Sequence, residues 1–544
     1  MVNMMNRKII VSTLLLLFTF HINSYSQLFN DEVYKFSKVL GYIEAFYVDS
    51  VNKEKLVESA VVEMLKELDP HSVYISKEEV QRMNEPLQGS FEGIGIQFNI
   101  LYDTLMVVSP ISGGPSEKVG ILAGDRIVSI DGENVAGVKI TNEMVFDRLR
   151  GKKGTKVVVA IKRRGEKDLL DFEIIRDKIP IYSLDAAYMV SKKDKVGYIK
   201  LNRFAATTMQ EYREAVAKLR KEGAEHLILD LTDNGGGYLN MAEELADEFL
   251  KNGQLIVYTE GLKSERSETK ATKIGSFETG KVVVMIDEGS ASASEIVAGA
   301  VQDWDRGVLV GRRSFGKGLV QRPLPLPDGS MMRLTIARYY TPTGRLIQKS
   351  YEKGTDNYHH DLINRYNHGE LSNADSIQFP ESLKYATLEK KRVVYGGGGI
   401  MPDIFVPIDT TGYSDYYRDL IRKGIINRYI LNYMDKNRAE LERNYKNHKK
   451  HGDFEYFIEN FDIDEAFLKD FIAFADNEKL SFDEEGYNKS FASLKANLKA
   501  LIARDLWGTS EFYEVVNVID PIYNEAVKVM LDDNSYYSKL NAVN

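Results

Sequence analysis

The spacing of apolar positions changes several times along the chain. From 31 to about 82 it is helical. Val33, Phe36, Val39 and Leu40 keep one face, and 56–68 repeats the pattern until Asp69-Pro70 stops it. From 91 to about 177 the period becomes two. Ile94, Ile96, Phe98 and Ile100 alternate with Gly95, Gln97 and Asn99, and Val157, Val159 and Ile161 do the same further on. Asp131-Gly132 is a hairpin turn signal, and Thr141 is placed to cap a short helix carrying Met144, Val145 and Leu149, closed by Gly151. From about 179 to 407 the two periods alternate. Apolar strands at 196–201, 226–231, 281–286 and 308–310 are interleaved with helices over 238–250 and 294–304 and with the stripe Met209, Tyr212, Val216 and Leu219. That alternation predicts layers of helix on a central sheet. The polar, aromatic stretch 352–392 reads as an insertion. Beyond 411 the chain is charged, rich in Tyr and Phe and nearly free of Pro and Gly, which predicts helices. The expected molecule is a multidomain α+β protein. It has an N-terminal helical region (27–85), a small strand-rich module (86–178), an α/β core (179–410) and a helical C-terminal domain (411–544).

Composition narrows the class. A chain of 544 residues with 43% hydrophobic and 28% charged residues is an ordinary multidomain globular protein. The net charge of −9 gives no broad basic surface for nucleic acid. There are no cysteines, which excludes disulfides, thiol catalysis and thiolate metal sites. At the N-terminus Arg7 and Lys8 precede an apolar run over 9–20, and Ser24-Tyr25-Ser26 follows. This is a secretory signal pattern (1–26) with cleavage near Ser26, and it predicts an exported, periplasmic protein. Association with a membrane is expected only if that segment is retained.

Three segments could carry chemistry. The first, Gly289-Ser290-Ala291-Ser292-Ala293-Ser294-Glu295, lies between a predicted strand and a predicted helix. A serine at such a turn is exposed beyond the sheet edge, with helix amides nearby to stabilise an oxyanion. Ser292 and Glu295 also fit a capping box, and that accounts for the pair equally well. A nucleophilic serine needs a base. None of the eight histidines, His21, His71, His226, His359, His360, His368, His448 and His451, has a flanking pattern of that kind. No His-Glu-x-x-His pair suggests a metal, and no cofactor is expected. Lysine is the other base, since burial lowers its pKa. The candidate is Lys317 in Ser314-Phe315-Gly316-Lys317-Gly318, with Gln321 four residues on to hold the amine; an exposed lysine in a glycine turn is the plain alternative. The third segment, Asp230-Leu231-Thr232-Asp233-Asn234-Gly235-Gly236-Gly237, offers backbone N–H groups to an oxyanion. It lacks the third spaced glycine and the lysine of nucleotide-binding loops.

Taken in chain order, the glycine turn 234–237, then the serine segment 289–296, then the lysine segment 314–321, the three closely resemble the carboxyl-terminal processing peptidases, the tail-specific serine proteases. Leu68-Asp69-Pro70-His71-Ser72, Ala337-Arg338-Tyr339-Tyr340-Thr341-Pro342-Thr343-Gly344 and Gly396-Gly397-Gly398-Gly399-Ile400-Met401-Pro402-Asp403 extend the resemblance, which covers about 30–408. It implies a serine endopeptidase that cleaves polypeptides near their free C-termini. Ser292 would be the nucleophile, Lys317 the general base and Gln321 its orienting partner. The amides of Ala293 and Gly236 would form the oxyanion hole. It also implies that 86–178 is a PDZ domain. Gly93, Ile94, Gly95 and Ile96 would then sit at its carboxylate-binding loop, with Ile94 and Ile96 against an apolar last residue. Where the family often has Asn-Pro-Gly-Gly, this chain has Asn234-Gly235-Gly236-Gly237. An inactive PDZ-bearing scaffold is the other reading, and it requires a broken dyad. Oligomers are compatible with either.

Overall fold

The computed structural model describes residues 31–272, 275–447 and 453–541. The signal segment 1–26 and His21, His448 and His451 lie outside the described residues. The chain forms two compact units that divide between Tyr74 and Ile75. In the first, helices Asp31–Phe46 and Lys53–Lys66 follow the predicted periodicity, and Asn52 caps the second through the Lys55 amide at 3.0 Å. The first helix buries none of its residues, so the stripe of Val33, Phe36 and Val39 is exposed. Among the described residues no helix is long and apolar enough to cross a membrane.

The second unit begins with a helix, Lys77–Gln88, and then the strand-rich module. Strands β1 (Ile96–Leu101), β2 (Thr104–Pro110), β3 (Arg126–Ile130), β4 (Lys156–Lys162) and β5 (Leu170–Ile175) form an antiparallel sheet in that order. Helix α1 (Asn142–Leu149) is capped by Thr141 as expected, its Oγ1 3.3 Å from the Met144 amide. Leu105, Val107, Ile127, Val145, Val157, Val159 and Ile174 fill the module's core. Asp131 and Gly132 both take positive φ in the predicted turn. The two ends of the module leave side by side, because Ser90–Gly93 pairs antiparallel with Asp177–Pro180.

The core carries a six-stranded sheet in the order β6 (Leu184–Ser191), β7 (Val196–Leu201), β8 (His226–Asp230), β9 (Val282–Ile286), β10 (Val308–Gly311), β11 (Ile404–Phe405). All neighbours from β7 onward are parallel, and β6 is antiparallel. Parallel strands need cover on both faces, and the alternation of side chains shows both covers. Leu227, Leu229, Val282, Val284 and Ile286 face helices α2 (Thr208–Lys221), α3 (Leu239–Asp247) and α4 (Ala293–Asp303). Ile228, Val283, Met285, Val308 and Val310 face the opposite way, against Ile522, Tyr523, Ala526, Val529 and Tyr536.

That second cover corrects the boundary expected at the C-terminus. Residues 411–544 are not one helical domain. Within 415–508 lies a separate aromatic core of Tyr416, Tyr429, Phe457, Phe467, Phe471 and Leu498, whereas helices Pro521–Leu531 and Asp533–Asn541 return to cap the core sheet. A second, antiparallel sheet, which the sequence reading did not separate, pairs Leu319–Pro325 with Met331–Tyr340, then Leu255–Gly261, then Ser264–Lys270.

Candidate active site

Three adjacent parallel strands end at the site. The loop after β8 is the glycine turn 231–237, the loop after β9 carries Ser292, and the loop after β10 carries Lys317. In an open parallel sheet the crevice beyond the carboxyl ends of the strands is where reacting groups converge. Segments about 25 to 80 residues apart thus become neighbours.

Ser292 is half-buried and takes φ 53° and ψ −109° immediately before α4. A non-glycine residue in that region costs about 1–3 kcal/mol and persists only when its surroundings hold it. The holding groups are visible. The Ala291 amide donates to the Asn234 carbonyl oxygen at 3.0 Å, and Ser294 Oγ donates to the same oxygen at 2.8 Å. The Asn234 side chain in turn donates to the Leu201 carbonyl at 2.8 Å. Ser290 Oγ donates to the Leu231 carbonyl oxygen at 2.7 Å. The two flanking serines therefore bind the turn to the neighbouring loop, and Ser292 between them stays half-buried.

Glu295 does more than cap the helix. The expected capping box is present, with the Ser292 amide 2.8 Å from Oε2. The same carboxylate also accepts from the Lys317 amide at 2.9 Å, the Gly316 amide at 2.7 Å and Ser314 Oγ at 2.5 Å. One buried side chain thus ties the serine turn to the lysine loop. Burial pushes its pKa up, and the donors from Ser314, Lys317, Gly316 and Ser292 pull against that rise. Tyr339 makes a second tie. Its buried hydroxyl lies 3.0 Å from the Ser292 carbonyl oxygen and also donates to the Lys317 carbonyl oxygen. Burial lifts this phenol well above its ordinary pKa, so it stays a neutral donor.

The insertion supports the lysine loop from outside. Arg365 Nη1 and Nη2 donate to the Ser314 and Arg313 carbonyl oxygens at 3.1 and 2.6 Å, and Tyr358 meets Phe315 edge-on with ring centroids 6.0 Å apart. The Lys349 ammonium lies over both rings, 3.8 Å from the Phe315 centroid and 4.2 Å from that of Tyr358.

The predicted residues fare unequally. Ala293 opens α4, and its amide has no hydrogen-bond partner among the described residues. Gly236 lies against it: a Cβ there would stand 2.9 Å from both the Ala293 amide nitrogen and Ser292 Cβ. The Gly236 amide itself, however, donates to Asn234 Oδ1 at 2.9 Å. The amides of Gly235 and Gly237 have no partner among the described residues. Gln321 lies in the strand Leu319–Pro325, where helical i, i+4 spacing from Lys317 does not apply, and its Nε2 donates to Thr335 Oγ1 at 3.3 Å. His226 opens β8, and its Nδ1 accepts the Lys281 amide at 3.1 Å, a structural role.

In the strand-rich module the four loop residues differ in their surroundings. Gly93 closes a strand paired with Asp177, and Ile94 is 2% exposed within the module core. Gly95, at φ 74°, ends the Gly93–Gly95 link before β1 begins at Ile96. Ile94 is pinned inward by Ser116, whose amide and Oγ donate to its carbonyl oxygen at 3.0 and 2.7 Å. Ile96 is half-buried and packs against the module core. Strand β1 is an edge strand, paired only with β2.

Sequence reasoning passed over Asp287. Its Oδ1 accepts the Asp233, Gly289 and Ser290 amides at 2.9, 3.0 and 3.1 Å, joining the glycine turn to the serine turn. Burial pushes this carboxyl up to about 6, against the pull of the Asp233 amide. A carboxyl that holds its proton more tightly folded than unfolded stabilises the fold at low pH and loses that contribution as pH rises from about 4 to about 6. The rise is worth about 3 kcal/mol. Asp287→Asn keeps an acceptor oxygen for the three amides and has no such loss. Thermal unfolding of the two proteins should therefore favour the variant more at pH 8 than at pH 4. An equal difference at both pH values would contradict this.

A family model for peptidase family S41 matches residues 195–356, and a PDZ domain model matches 93–174. A model described as the activating protease CtpB N-terminal domain matches 20–79, and a family of unknown function matches 416–508. Carboxy-terminal processing protease CtpB of Bacillus subtilis is 37% identical over 319 residues, which is 58% of this chain and 65% of that protein, just under two thirds of its length. The carboxy-terminal-processing protease of Bartonella bacilliformis is 38% identical over 331 residues, 60% of this chain and 74% of that protein. Among solved structures, the photosystem II D1 C-terminal processing protease is 29% identical with a TM-score of 0.32, covering 56% of this chain and 81% of that one. With the domain models in this order and that identity over nearly three quarters of the Bartonella protein, the chain belongs to the carboxy-terminal processing proteases of peptidase family S41.

Proposed function

We propose that this chain is an exported serine endopeptidase that cuts polypeptides near their C-termini. The observation that carries this reading is the convergence of the Ser292 turn and the Lys317 loop on one buried carboxylate, Glu295. In the proposed reaction Ser292 Oγ attacks the scissile carbonyl carbon while the neutral Lys317 amine takes its proton. The carbonyl oxygen becomes an oxyanion facing the unpartnered Ala293 amide at the start of α4, where the helix dipole also favours negative charge. A second donor would come from Gly235 or Gly237, or from Gly236 if its bond to Asn234 opens. As the C–N bond breaks, Lys317 returns the proton to the leaving amine. Water then attacks the acyl-enzyme with Lys317 again as base, releasing the acid and restoring Ser292. Gln321 is proposed to orient Lys317 after a rotation away from Thr335. Export rests on the segment 1–26, and mass spectrometry of the mature N-terminus in the native host tests it.

Substrate choice is assigned to the PDZ module. An extended tail would add to the open edge of β1, with its terminal carboxylate at the Ile94–Ile96 loop amides and its last side chain against Ile96. Amidating the tail of an unstructured, apolar-ended substrate removes the charge that the loop would hold. Cleavage of the amidated substrate should fall at least tenfold relative to the free acid. Equal rates would show that the module does not read the carboxylate.

A further inference from the structure

We infer that the helical module 415–508, the part matching a family of unknown function, is a dock for the PDZ domain that holds the tail-reading strand in its delivering position. The inference rests on the reading of the PDZ module as a tail reader. It starts from β2, whose residues Leu105, Met106, Val107 and Val108 are all buried. In a strand exposed on one face, only alternate residues are buried. Leu105 and Val107 point into the PDZ core. Met106 and Val108 point the other way, yet are only 2% and 9% exposed. What covers them is Leu431 of helix α5 (Ile425–Leu441), which forms a small apolar cluster with Leu101, Met106 and Val108.

Charges ring this contact. Asp435, one turn along α5 from Leu431, lies 3.1 Å from Arg126 Nη2. It is also 3.7 Å from Arg164 Nη1, which donates to the Asp435 backbone oxygen at 2.5 Å. Tyr102, at the β1–β2 turn, reaches Glu478 at 3.4 Å. Among the described residues, hydrogen bonds and ion pairs leave the PDZ sheet in only two directions. One set goes to this dock. The other goes to the stem side, where Arg150 pairs with Glu85 and the Gly151 and Lys153 amides donate to Glu92. A domain carried on a two-stranded stem is free to turn unless a second anchor fixes it. The dock supplies that anchor on β2, the strand paired with the tail-binding edge β1, so a tail added to β1 extends a sheet already fixed to α5. The apolar patch is small and its rim is partly solvated, which suits a contact that holds and releases. No hydrogen bond or ion pair joins residues 93–174 to the serine turn 287–295 among the described residues.

The test uses the full chain with Asp435→Arg, which places like charges against Arg126 and Arg164. Wild type first establishes whether a free-acid peptide binds. Failure there removes the tail-reader reading and leaves the dock to be judged by hydrogen exchange alone. In the variant, exchange across 101–108 should rise at least tenfold. The free-acid peptide should bind as before, and kcat/KM for a tail-bearing protein should fall about tenfold, whereas a short peptide cleaved without PDZ engagement should be turned over normally. The triple variant Asp435→Arg, Arg126→Asp, Arg164→Asp should restore both readings. Wild-type exchange across 101–108 in Asp435→Arg, or an unchanged preference for tail-bearing substrate together with bound peptide, would overturn the dock.

Discussion

Replacing Ser292 with alanine should leave a folded protein that no longer cleaves peptide bonds. The change removes one half-exposed hydroxyl, and the Ser292 amide bond to Glu295 and the Tyr339 contact to its carbonyl are backbone interactions that survive it. Stability should therefore change by less than about 1 kcal/mol. The rate should fall on the order of 10⁴- to 10⁶-fold, the size expected when the covalent route is lost. Ser290→Ala and Ser294→Ala supply the contrast. Each loses a buried hydrogen bond to a main-chain oxygen, at 2.7 Å and 2.8 Å respectively, and so should cost about 1–3 kcal/mol of stability with a much smaller loss of rate. Melting temperature and turnover measured side by side separate the two behaviours. Substantial turnover by folded Ser292→Ala, with no contaminating protease, would remove Ser292 from the mechanism.

Lys317→Arg should be nearly as inactive, by at least about 10³-fold, although a basic side chain of similar length is kept. A guanidinium does not release its proton under these conditions and cannot accept one from serine. The loop should hold its shape, because its ties run through main-chain groups: the Gly316 and Lys317 amides to Glu295, the Lys317 carbonyl to Tyr339, and the Ser314 and Arg313 carbonyls to Arg365. Wild-type activity should rest on a single acid limb, falling as pH drops and the base is protonated, and should be insensitive to a chelator. A Lys317→Arg protein with a normal rate, or full inhibition by EDTA, would show that lysine is not the base.

What the sequence revealed of this site was what lies within single loops. Each of the three loops follows a parallel strand, and its turn residues are local, so Gly235–Gly237, Ser292 and Lys317 stood out together with the strands that deliver them. The braces could not be read that way. Glu295 looked complete as a helix cap, because nothing local shows that its other acceptors meet amides 21 and 22 residues on. Tyr339 lay within a recognisable motif, but its reach to both Ser292 and Lys317 depends on a strand crossing from another sheet. Asp287 follows β9 directly, and nothing local shows that its carboxylate meets the Asp233 amide of another loop. Period-two alternation carries the strand back to Ile94 because it does not say where a strand begins, and the positive φ of Gly95 ends the link before β1. The two destinations of the C-terminal helices are hidden in the sequence for a related reason. Apolar stripes on the helices of 415–508 and of 521–541 have the same period, and only the fold sends one set to its own core and the other to the protease sheet.

The most direct test of the central claim is intact-mass and peptide mapping after exposure to a serine-reactive fluorophosphonate. The account predicts one covalent adduct per chain, located on Ser292, formed in step with loss of proteolysis, absent from Ser292→Ala and strongly slowed in Lys317→Arg. Complete inactivation with the label on another residue, or labelling of Ser292 at an undiminished rate in Lys317→Arg, would contradict it.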